Sequence, residues 1–344
     1  MQDNPTTLST DQPAIEVKNL VKHYEKAKFN AVDDISFSVR KGEIFGLLGP
    51  NGAGKTTTIG ILTTSVLPTK GIARISGIDV PSDPMAIKER IAIVPQRSNL
   101  DQSLRAREIL TFHASYHGIP KAEREARADA LLAELGLADR AKDIVRRYSG
   151  GMAQRLMMAR ALMHSPEVLF LDEPTNSLDP QSRLFLWDRI RELNAHGVTI
   201  LLTTHDMDEA DQLCNRIAIM DHGKILVLDT APELKKLIPG GTRLEVRVRK
   251  PELVTAGTDH VSSSFEDVME KLRSIPGVIK VEEGPVGENE HEQGILNIYT
   301  EDAGSLIVPV ADSLASSGIE IRDLHVAHPS LEDVFIYLTG RNLR

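Results

Sequence analysis

The sequence predicts an α/β fold built on a mixed β-sheet, followed by a small α+β domain. Four short apolar segments, 44–48, 91–94, 168–171 and 198–202, are separated by helical patterns. Almost wholly apolar strands of this kind are typical of a parallel sheet that is covered on both faces. After residue 240 the predicted order changes to β-α-β-β-α-β, the split-βαβ or ferredoxin-like arrangement. A length of 344 residues agrees with about two domains.

An antiparallel β subdomain and a helical subdomain are predicted around the parallel strands. Residues 14–24 and 31–43 show partial apolar/polar alternation, as half-buried antiparallel strands do. Residues 105–145 are rich in Ala, Leu, Glu and Arg, which predicts a mostly helical insertion. Residues 216–229 predict a hairpin that turns at Asp221-His222-Gly223.

The predicted second domain contains four strands and three helices. The strands are 243–249, 278–283, 294–300 and 319–326, and the helices are 265–275, 305–316 and 331–339. The first and last helices each follow a serine with an aspartate three residues on, which is an N-terminal capping pattern. Each then places apolar residues at i, i+3, i+4 and i+7: Phe265, Val268, Met269 and Leu272, and Leu331, Val334, Phe335 and Leu338. Shared capping chemistry explains this likeness better than an internal repeat does.

The domain boundary is predicted at the segment Pro239-Gly240-Gly241, which follows a short helix that starts near Pro232. Residues 1–13 are polar and predict a disordered tail. The first domain would then span residues 14–240 and the second residues 241–344.

Composition and charge exclude several classes of protein. Residues 1–240 hold 30 Lys and Arg against 31 Asp and Glu, and residues 241–344 hold 10 against 18. Without a basic domain, the chain is not expected to bind nucleic acid. Its single cysteine, Cys214, excludes an internal disulfide. The acidic, polar start predicts no secretion signal, and no segment approaches the roughly 18 to 20 apolar residues of a membrane span. We therefore expect a protein of the cytosol or of the cytosolic side of a membrane.

A glycine-rich loop at residues 49–57, GPNGAGKTT, follows the first apolar strand. It fits the phosphate-binding pattern G-x-x-x-x-G-K-[ST] at Gly49, Gly54, Lys55 and Thr56. Glycines let consecutive backbone N–H groups face a phosphate, and the next helix adds its positive end. Lys55 can reach the β- and γ-phosphates, and Thr56 can ligate Mg²⁺. The candidate nucleotide-binding residues here are Gly49, Pro50, Asn51, Gly52, Ala53, Gly54, Lys55, Thr56 and Thr57.

Polar residues follow the other apolar strands as well. Asp172 and Glu173 follow 168–171, His205 follows 198–202, and Gln96 follows 91–94. Because ligands of open α/β sheets bind beyond the carboxyl ends of the strands, these side chains should converge. Asp172 would hold hydrated Mg²⁺, and Glu173 would accept a proton from the attacking water. Each residue alone also fits a helix cap, a loop or an ordinary surface position, so the hypothesis depends on their agreement.

A second glycine-rich loop, Ser149-Gly150-Gly151, opens a helix predicted at 152–164. A helix cap is its minimum role. Two glycines weaken a helix start but allow close approach of the backbone to an anion. Since no lysine follows, this loop would have to close over a γ-phosphate that is held elsewhere.

Together these motifs resemble the nucleotide-binding subunit of ATP-binding cassette (ABC) transporters. The resemblance covers roughly residues 15–235 and includes GPNGAGKTT, Gln96, SGGMAQR, VLFLDEPT, SLDP and His205. It implies an ABC ATPase domain with the P-loop NTPase fold, ATP and Mg²⁺ as ligands, and a head-to-tail dimer. It also implies catalytic roles for Glu173, His205 and Gln96, and metal contacts from Thr56, Gln96 and Asp172. The second loop would then contact the partner's ATP.

Two further nucleotide contacts rest on the same resemblance. Asp179 would act across the dimer interface, and Tyr24, 25 residues before Gly49, matches the aromatic residue that stacks on adenine. Composition alone favours a strand position for Tyr24. One departure is Ser177, which stands where the family commonly has glycine and puts the geometry of that turn in doubt.

The segments YSGGM and HPSLEDVFIYLTGR resemble the daunorubicin-resistance type of exporter ATPases, which includes nodulation-factor exporters. This implies a separately encoded membrane permease, a homodimer or paralogous heterodimer, and a peripheral position on the cytoplasmic face of the membrane. The cargo would be a drug, a lipid or a polysaccharide-type molecule.

Three alternatives stay open. DNA-repair cassette proteins insert long coiled coils between the two loops, and ribosome-acting ones usually carry two cassettes, whereas this chain has one short cassette. Importer ATPases usually end in a small β-barrel rather than a βαββαβ unit. A regulatory ATP-binding module is the third alternative.

Overall fold

The computed structural model describes residues 12–238, 241–249, 265–283, 293–300 and 302–340. The predicted tail lies outside the described residues except at positions 12 and 13, as do Pro239 and Gly240 of the predicted boundary. The chain divides into two compact units between Ala231 and Pro232. The predicted boundary at 240/241 stays a prediction.

The first unit contains ten strands and seven helices in its described residues, and an eighth helix crosses its end. The strands are β1 (Ile15–Lys22), β2 (Val32–Val39), β3 (Ile44–Leu48), β4 (Lys70–Ile75), β5 (Ile78–Asp79), β6 (Ile91–Val94), β7 (Val168–Asp172), β8 (Thr199–Thr204), β9 (Arg216–Asp221) and β10 (Lys224–Asp229). The helices are α1 (Lys55–Leu62), α2 (Pro84–Arg90), α3 (Ala106–Tyr116), α4 (Lys121–Glu134), α5 (Gly150–Leu162), α6 (Pro180–Ala195), α7 (Met207–Leu213) and α8 (Ala231–Lys235).

The central sheet has the strand order β10-β9-β3-β8-β7-β6. Strands β9, β3, β8, β7 and β6 run parallel, and β10 pairs antiparallel with β9, so the sheet is mixed as predicted. In register, Leu48 lies opposite Thr204, and Asp172 lies opposite Thr203. The carboxyl ends of β3, β8 and β7 therefore meet at one edge, where their following loops come together.

Alternate residues of the parallel strands fill two separate cores. Phe45 and Phe170 pack with the antiparallel sheet β2-β1-β4-β5. Leu169 and Leu171, on the other face of β7, pack with helices α3, α4 and α5. Both faces of the sheet are covered, which explains why these strands are apolar throughout. The predicted antiparallel subdomain and helical insertion are confirmed.

Helix α5 begins at Gly150, two residues before the predicted start, and ends at Leu162 rather than at 164. The prediction was wrong because it placed the glycines before the helix. Ser149 is the N-cap, since its Oγ accepts a hydrogen bond from the backbone N–H of Met152 at 3.3 Å. An N-cap at Ser149 makes Gly150 the first helical residue.

The second unit has the predicted order β-α-β-β-α-β with a last helix. Its elements are β11 (Thr242–Arg249), α9 (Phe265–Arg273), β12 (Val278–Glu283), β13 (Gln293–Thr300), α10 (Ala303–Ser316), β14 (Ile321–Ala327) and α11 (Leu331–Thr339). The sheet order is β12-β13-β11-β14 with antiparallel pairs, which is the ferredoxin-like arrangement. Leu244, Val246, Val268, Ile298 and Val310 belong to one buried core. The side chain of Phe265, a predicted core position, lies outside what the structure describes.

Within the ranges that the structure describes, no helix is long and apolar enough to cross a membrane.

Candidate active site

The loop between β3 and α1 requires glycine at its two ends. A Cβ on Gly49 would lie 2.2 Å from the carbonyl oxygen of Met220. Gly54 has a φ of +104°, and a Cβ there would lie 2.4 Å from the carbonyl oxygen of Ala31. Neither clash can relax easily, because both neighbours are backbone atoms. Sterics therefore fix the glycine spacing that the sequence pattern identified, and Lys55 directly begins α1.

The Lys55 side chain is buried and forms hydrogen bonds to the backbone of this loop. Its Nζ donates to the carbonyl oxygens of Gly49 at 2.6 Å and Pro50 at 3.1 Å. It also lies 3.4 Å from Oε1 of Glu173. Burial lowers the pKa of Lys55, and the negative charge of Glu173 opposes that shift. The lysine ammonium is thus placed between the phosphate-binding loop and the carboxylate predicted to act as base.

Asp172 gathers two hydroxyl groups at the end of β7. Thr56 donates from Oγ1 to Asp172 Oδ1 at 3.2 Å, and Thr203 donates to the same oxygen at 2.6 Å. Asp172 is 5% exposed. A carboxylate and a hydroxyl in contact beside the phosphate-binding loop supply the hard oxygen ligands that Mg²⁺ prefers. The residues present fit the ion predicted from the sequence.

Glu173 joins side chains from three loops. Its Oε2 accepts from Gln96 Nε2 at 2.8 Å and from Asn176 Nδ2 at 3.2 Å, and lies 3.3 Å from His205 Nδ1. Its backbone N–H donates to the carbonyl oxygen of Thr203 at 3.0 Å, and its φ is +49°. A non-glycine residue with positive φ is held there only by surrounding structure. The structure thus brings together Gln96, Lys55, Glu173 and His205.

The second glycine-rich loop and Asp179 lie side by side in the same chain. The Asp179 carboxylate caps α6, accepting from the Ser182 backbone N–H at 2.9 Å and from its Oγ at 2.6 Å. A Cβ on Gly151 would lie 2.7 Å from Ser182 Oγ. Hydrogen bonds from Ser182 lower the pKa of Asp179. Ser149 and Gly150 are exposed, so this loop faces outwards.

Tyr24 lies in the turn two residues beyond β1, so the strand position that composition favoured was wrong. Its ring is 43% exposed, and the Lys22 ammonium lies 4.9 Å from the ring centre. An exposed ring with one cation nearby is available for stacking.

Ser177 occupies the left-handed region with a φ of +62°, which explains why glycine is common at this position. The strain costs about 1 to 2 kcal/mol. Its Oγ donates to Asn176 Oδ1 at 3.3 Å. Serine thus keeps the turn that its departure from the glycine pattern put in doubt.

Sequence reasoning missed Glu209, which is fully buried in α7. Its Oε1 accepts from Thr175 Oγ1 at 2.8 Å and from Trp187 Nε1 at 3.1 Å. Thr175 follows Glu173 by two residues, and Glu209 follows His205 by four. The buried carboxylate therefore ties together the two loops that carry Glu173 and His205. The only available signal was an acidic residue one turn into a helix that begins just after His205.

Replacing Glu209 with glutamine is expected to flatten the dependence of stability on pH. Burial raises the pKa of Glu209 above its ordinary value of 4.5. Between 4.5 and the raised value the folded state holds more protons than the unfolded state, so the free energy of unfolding falls as pH rises. Glutamine keeps the acceptor for Thr175 and Trp187 without a titratable charge. Between pH 5 and 7.5 the free energy of unfolding, measured with urea, should fall less for Glu209→Gln than for the wild type.

The control for this measurement is Glu123→Gln, which changes an exposed carboxylate of α4 and should decline as the wild type does. An equal decline in all three proteins would show that the pKa of Glu209 is the same in the folded and the unfolded chain.

Comparisons with known proteins agree with this geometry. The ABC transporter family model matches residues 32–176, and a model for an AAA domain matches residues 147–211. The chain is 37% identical over 331 residues to the daunorubicin resistance ATP-binding protein DrrA3 of Streptomyces coeruleorubidus, covering 96% of this chain and 97% of that one. The chain belongs to the ATP-binding subunits of ABC transporters. As a member of that family it binds and hydrolyses ATP.

Two other relatives of this ABC ATPase match over nearly their whole length. It is 36% identical to the linearmycin resistance ATP-binding protein LnrL of Bacillus subtilis, over 96% of this chain and 99% of that one. It is 37% identical to the Nod factor export ATP-binding protein I of Ralstonia nicotianae, over 96% of this chain and 95% of that one. The predicted resemblance to daunorubicin-resistance ATPases is confirmed.

Solved structures show the same fold. The structure of an ATP-binding subunit of an ABC transporter matches with a TM-score of 0.60 and 32% identity, covering 65% of this chain and 92% of that one. A dimeric, post-hydrolysis structure of the ATP-binding cassette MJ0796 bound to ADP and Pi matches with a TM-score of 0.59 and 27% identity, over 63% and 98%.

Proposed function

We propose that this ABC ATPase drives export through a separately encoded membrane permease, from the cytoplasmic face of the membrane. The observation that carries the proposal is the extent of the match to resistance and export proteins. A match over 96% of the chain includes most of residues 241–344 as well as the ATPase core. The cargo would be a drug, a lipid or a polysaccharide-type molecule, and its selection would lie in the permease.

Residues 241–344 would form an accessory α+β domain in addition to the ATPase domain of residues 14–240. Its core of apolar side chains from β11, β12, β13, α9 and α10 supports a separately folded domain. The ferredoxin-like sheet distinguishes it from the β-barrel expected of importer ATPases. DNA and ribosomes are disfavoured as partners because this domain is acidic.

The chain's own residues would perform the hydrolysis as follows. Backbone N–H groups of residues 49–57 and the Lys55 ammonium would hold the phosphates of ATP. Thr56, Asp172 and Gln96 would hold Mg²⁺, which would neutralise phosphate charge. The phosphates of ATP would compete with Glu173 for the Lys55 ammonium, so the Glu173 carboxylate would be released to accept a proton from water. His205 would keep Glu173 oriented, and Asn176 would limit its movement.

Two copies of the chain, or this chain and a paralogue, would pack head to tail. The exposed Ser149 and Gly150 support this assembly, since they face outwards from the chain. In that dimer Ser149, Gly150, Gly151 and Asp179 would complete the partner's ATP site. The dimeric MJ0796 structure with ADP and Pi is consistent with a paired assembly.

The permease would dock on α3. This helix exposes Phe112 by 54% and Tyr116 by 88%, and the two rings lie one turn apart on the same face. Large aromatic side chains in contact with water are typical of a surface that a partner covers. A Phe112→Ser/Tyr116→Ser double variant should bind ATP normally and lose most of its association with the membrane.

The wild-type chain is purified from native membranes, and the proteins that come with it are identified by mass spectrometry. We expect one integral membrane protein that co-purifies with the wild type and is largely absent from the preparation of the double variant. The matched control is Phe29→Ser, which removes an aromatic ring exposed by 82% on another part of the unit. Recovery of DNA-repair or ribosomal proteins in place of a permease would contradict the proposal.

A further inference from the structure

Three histidines from two distant segments of the sequence meet in the helical subdomain. His113 and His117 lie one turn apart at the C-terminal end of α3, and His164 lies between α5 and β7. One ring nitrogen from each lies within 4.8 Å of the other two. The rings of His117 and His164 stack with their centres 3.9 Å apart, and the His113 centre lies 4.9 Å from that of His117.

Two ring nitrogens of this cluster are buried and form no hydrogen bond within the described part of the chain. Nε2 of His113 and Nδ1 of His164 are both buried, and neither has a hydrogen-bond partner among the described residues. Buried polar atoms are almost always paired, because an unpaired one loses its hydration without compensation. These two atoms are therefore available to a ligand at this cluster.

The protonation of His164 identifies the kind of ligand. Its Nε2 lies 2.8 Å from the carbonyl oxygen of Ile91, which can only accept a hydrogen bond. Nε2 must therefore carry the hydrogen, and Nδ1 of the neutral ring keeps an unshared lone pair. A carbonyl that fixes one imidazole nitrogen while the other binds a metal is the usual second contact of a metal-binding histidine.

We propose that His113, His117 and His164 bind one divalent transition-metal ion, with Zn²⁺ preferred. Three imidazoles with an open fourth position form a known type of zinc site, and imidazole also suits Cu²⁺, Ni²⁺ and Co²⁺. Ligand nitrogens around tetrahedral Zn²⁺ lie about 3.4 Å apart, given Zn–N distances of about 2.0 to 2.1 Å. Because the lone pairs of two parallel stacked rings cannot point at one ion, the His117 ring would turn out of its stack with His164 to bind it.

Burial favours the neutral, ligand form of the three rings, and the charges around them are mixed. Burial is the largest cause that lowers the pKa of each of the three rings, and that of His113 falls to about 4. Burial therefore favours the neutral form of each ring, which is the form that binds a metal. The guanidinium charges of Arg160 and Arg127 oppose positive charge at His113 and His164, whereas the Glu89 carboxylate favours it at His117.

The metal would connect α3 to the segment between α5 and β7. Helix α5 begins at Gly150, directly after its N-cap Ser149, and β7 ends at Asp172. A bound ion would therefore fasten the helix that exposes Phe112 and Tyr116 to a segment joining two parts of the ATP site. The metal site itself does not depend on the proposed permease, because its ligands all belong to one chain.

Zn²⁺ binding to the full chain, free of nucleotide and of any histidine tag, tests the proposal. Excess Mg²⁺ is present throughout to protect the oxygen ligands Thr56 and Asp172. We expect one Zn²⁺ per chain with a Kd below about 10 µM, a rise in Tm of about 5 °C at 100 times Kd, and the visible absorption of four-coordinate Co²⁺ when Co²⁺ replaces Zn²⁺.

Two variants separate this site from other surface binding. His117→Gln should lower the affinity for Zn²⁺ by about 100-fold or more and abolish the Tm rise, and normal ATP binding will show that it is folded. His328→Gln, a control that removes an exposed histidine from the second unit, should bind as the wild type does. If His117→Gln does not fold, His113→Gln is measured in its place. No stoichiometric binding by the wild type, or equal binding by all variants, would overturn the proposal.

Discussion

Replacing Glu173 with glutamine should lower the rate of ATP hydrolysis by about 10² to 10⁴ while MgATP stays bound. Glutamine retains the shape of the side chain but cannot accept the proton of the attacking water. The carboxylate lies 3.4 Å from the Lys55 ammonium and 3.3 Å from the His205 ring, the groups proposed to hold the phosphates and to orient the base. Steady-state phosphate release and equilibrium binding of a fluorescent ATP analogue measure the two effects separately.

Lys55→Ala should impair the binding of ATP, whereas Glu173→Gln should impair only its hydrolysis. Because the Lys55 ammonium is the group proposed to hold the phosphates, its loss should weaken ATP binding or the productive engagement of ATP. Glu173→Gln should instead accumulate a dimer with bound ATP, visible by size-exclusion chromatography. Glu123→Gln, the same change at an exposed carboxylate, should hydrolyse ATP at the wild-type rate. Near-normal turnover by Glu173→Gln would show that another group is the base.

The meeting of Glu173, His205 and Gln96 could be predicted from the sequence for a simple reason. Each residue follows an apolar strand, and parallel neighbours end at the same edge of a sheet. The prediction therefore needed only the identity of the strands and their common direction. Gly49 and Gly54, at the two ends of the phosphate-binding loop, were also predictable from the spacing of the sequence pattern. The structure adds the reason for glycine there: a Cβ at either position would clash with the backbone of Met220 or Ala31.

Other features depend on how helices pack against each other, which no local pattern encodes. Glu209 meets Thr175 and Trp187 only because α6 and α7 pack together. His164 meets His113 only because the helical insertion folds back beside β6 and α5. Neither set has a fixed spacing in sequence. The start of α5 was misplaced for a different reason: Gly150 and Gly151 have low helix propensity, but the Ser149 cap and the approach to Ser182 outweigh it.

The structure sets Ser149 apart from the residues of its own phosphate-binding loop. Lys55 and Glu173 are buried, at 4% and 6% exposure, whereas Ser149 is exposed at the tip of α5. A side chain that faces solvent can contact the ATP of another copy. We therefore expect Lys55→Ala and Ser149→Arg to produce homodimers that are each inactive, with lesions in opposite halves of a shared site.

Mixing these two inactive proteins should restore part of the activity, or trap at least one ATP per dimer. In the mixed dimer one site combines both lesions, while the other combines an intact loop 49–57 with the partner's intact Ser149. Trapped nucleotide is the safer measurement, because obligatory coupling of the two sites could hide turnover. Arginine also removes the helix cap, at a cost of about 1 kcal/mol, so ATP binding by the Ser149→Arg protein alone must first show that it is folded.

A second mixture makes the experiment decisive. Lys55→Ala mixed with Asp172→Asn places both lesions in the same half of the site, since Lys55 and Asp172 belong to one chain's phosphate-binding edge. Every site in that mixed dimer keeps one lesion, so no ATP should be trapped, although the dimers form as readily. Rescue with Ser149→Arg but not with Asp172→Asn requires that Ser149 act on the partner's ATP. If neither mixture traps nucleotide, Ser149 serves the site of its own chain, because a loop acting within one chain leaves every site defective.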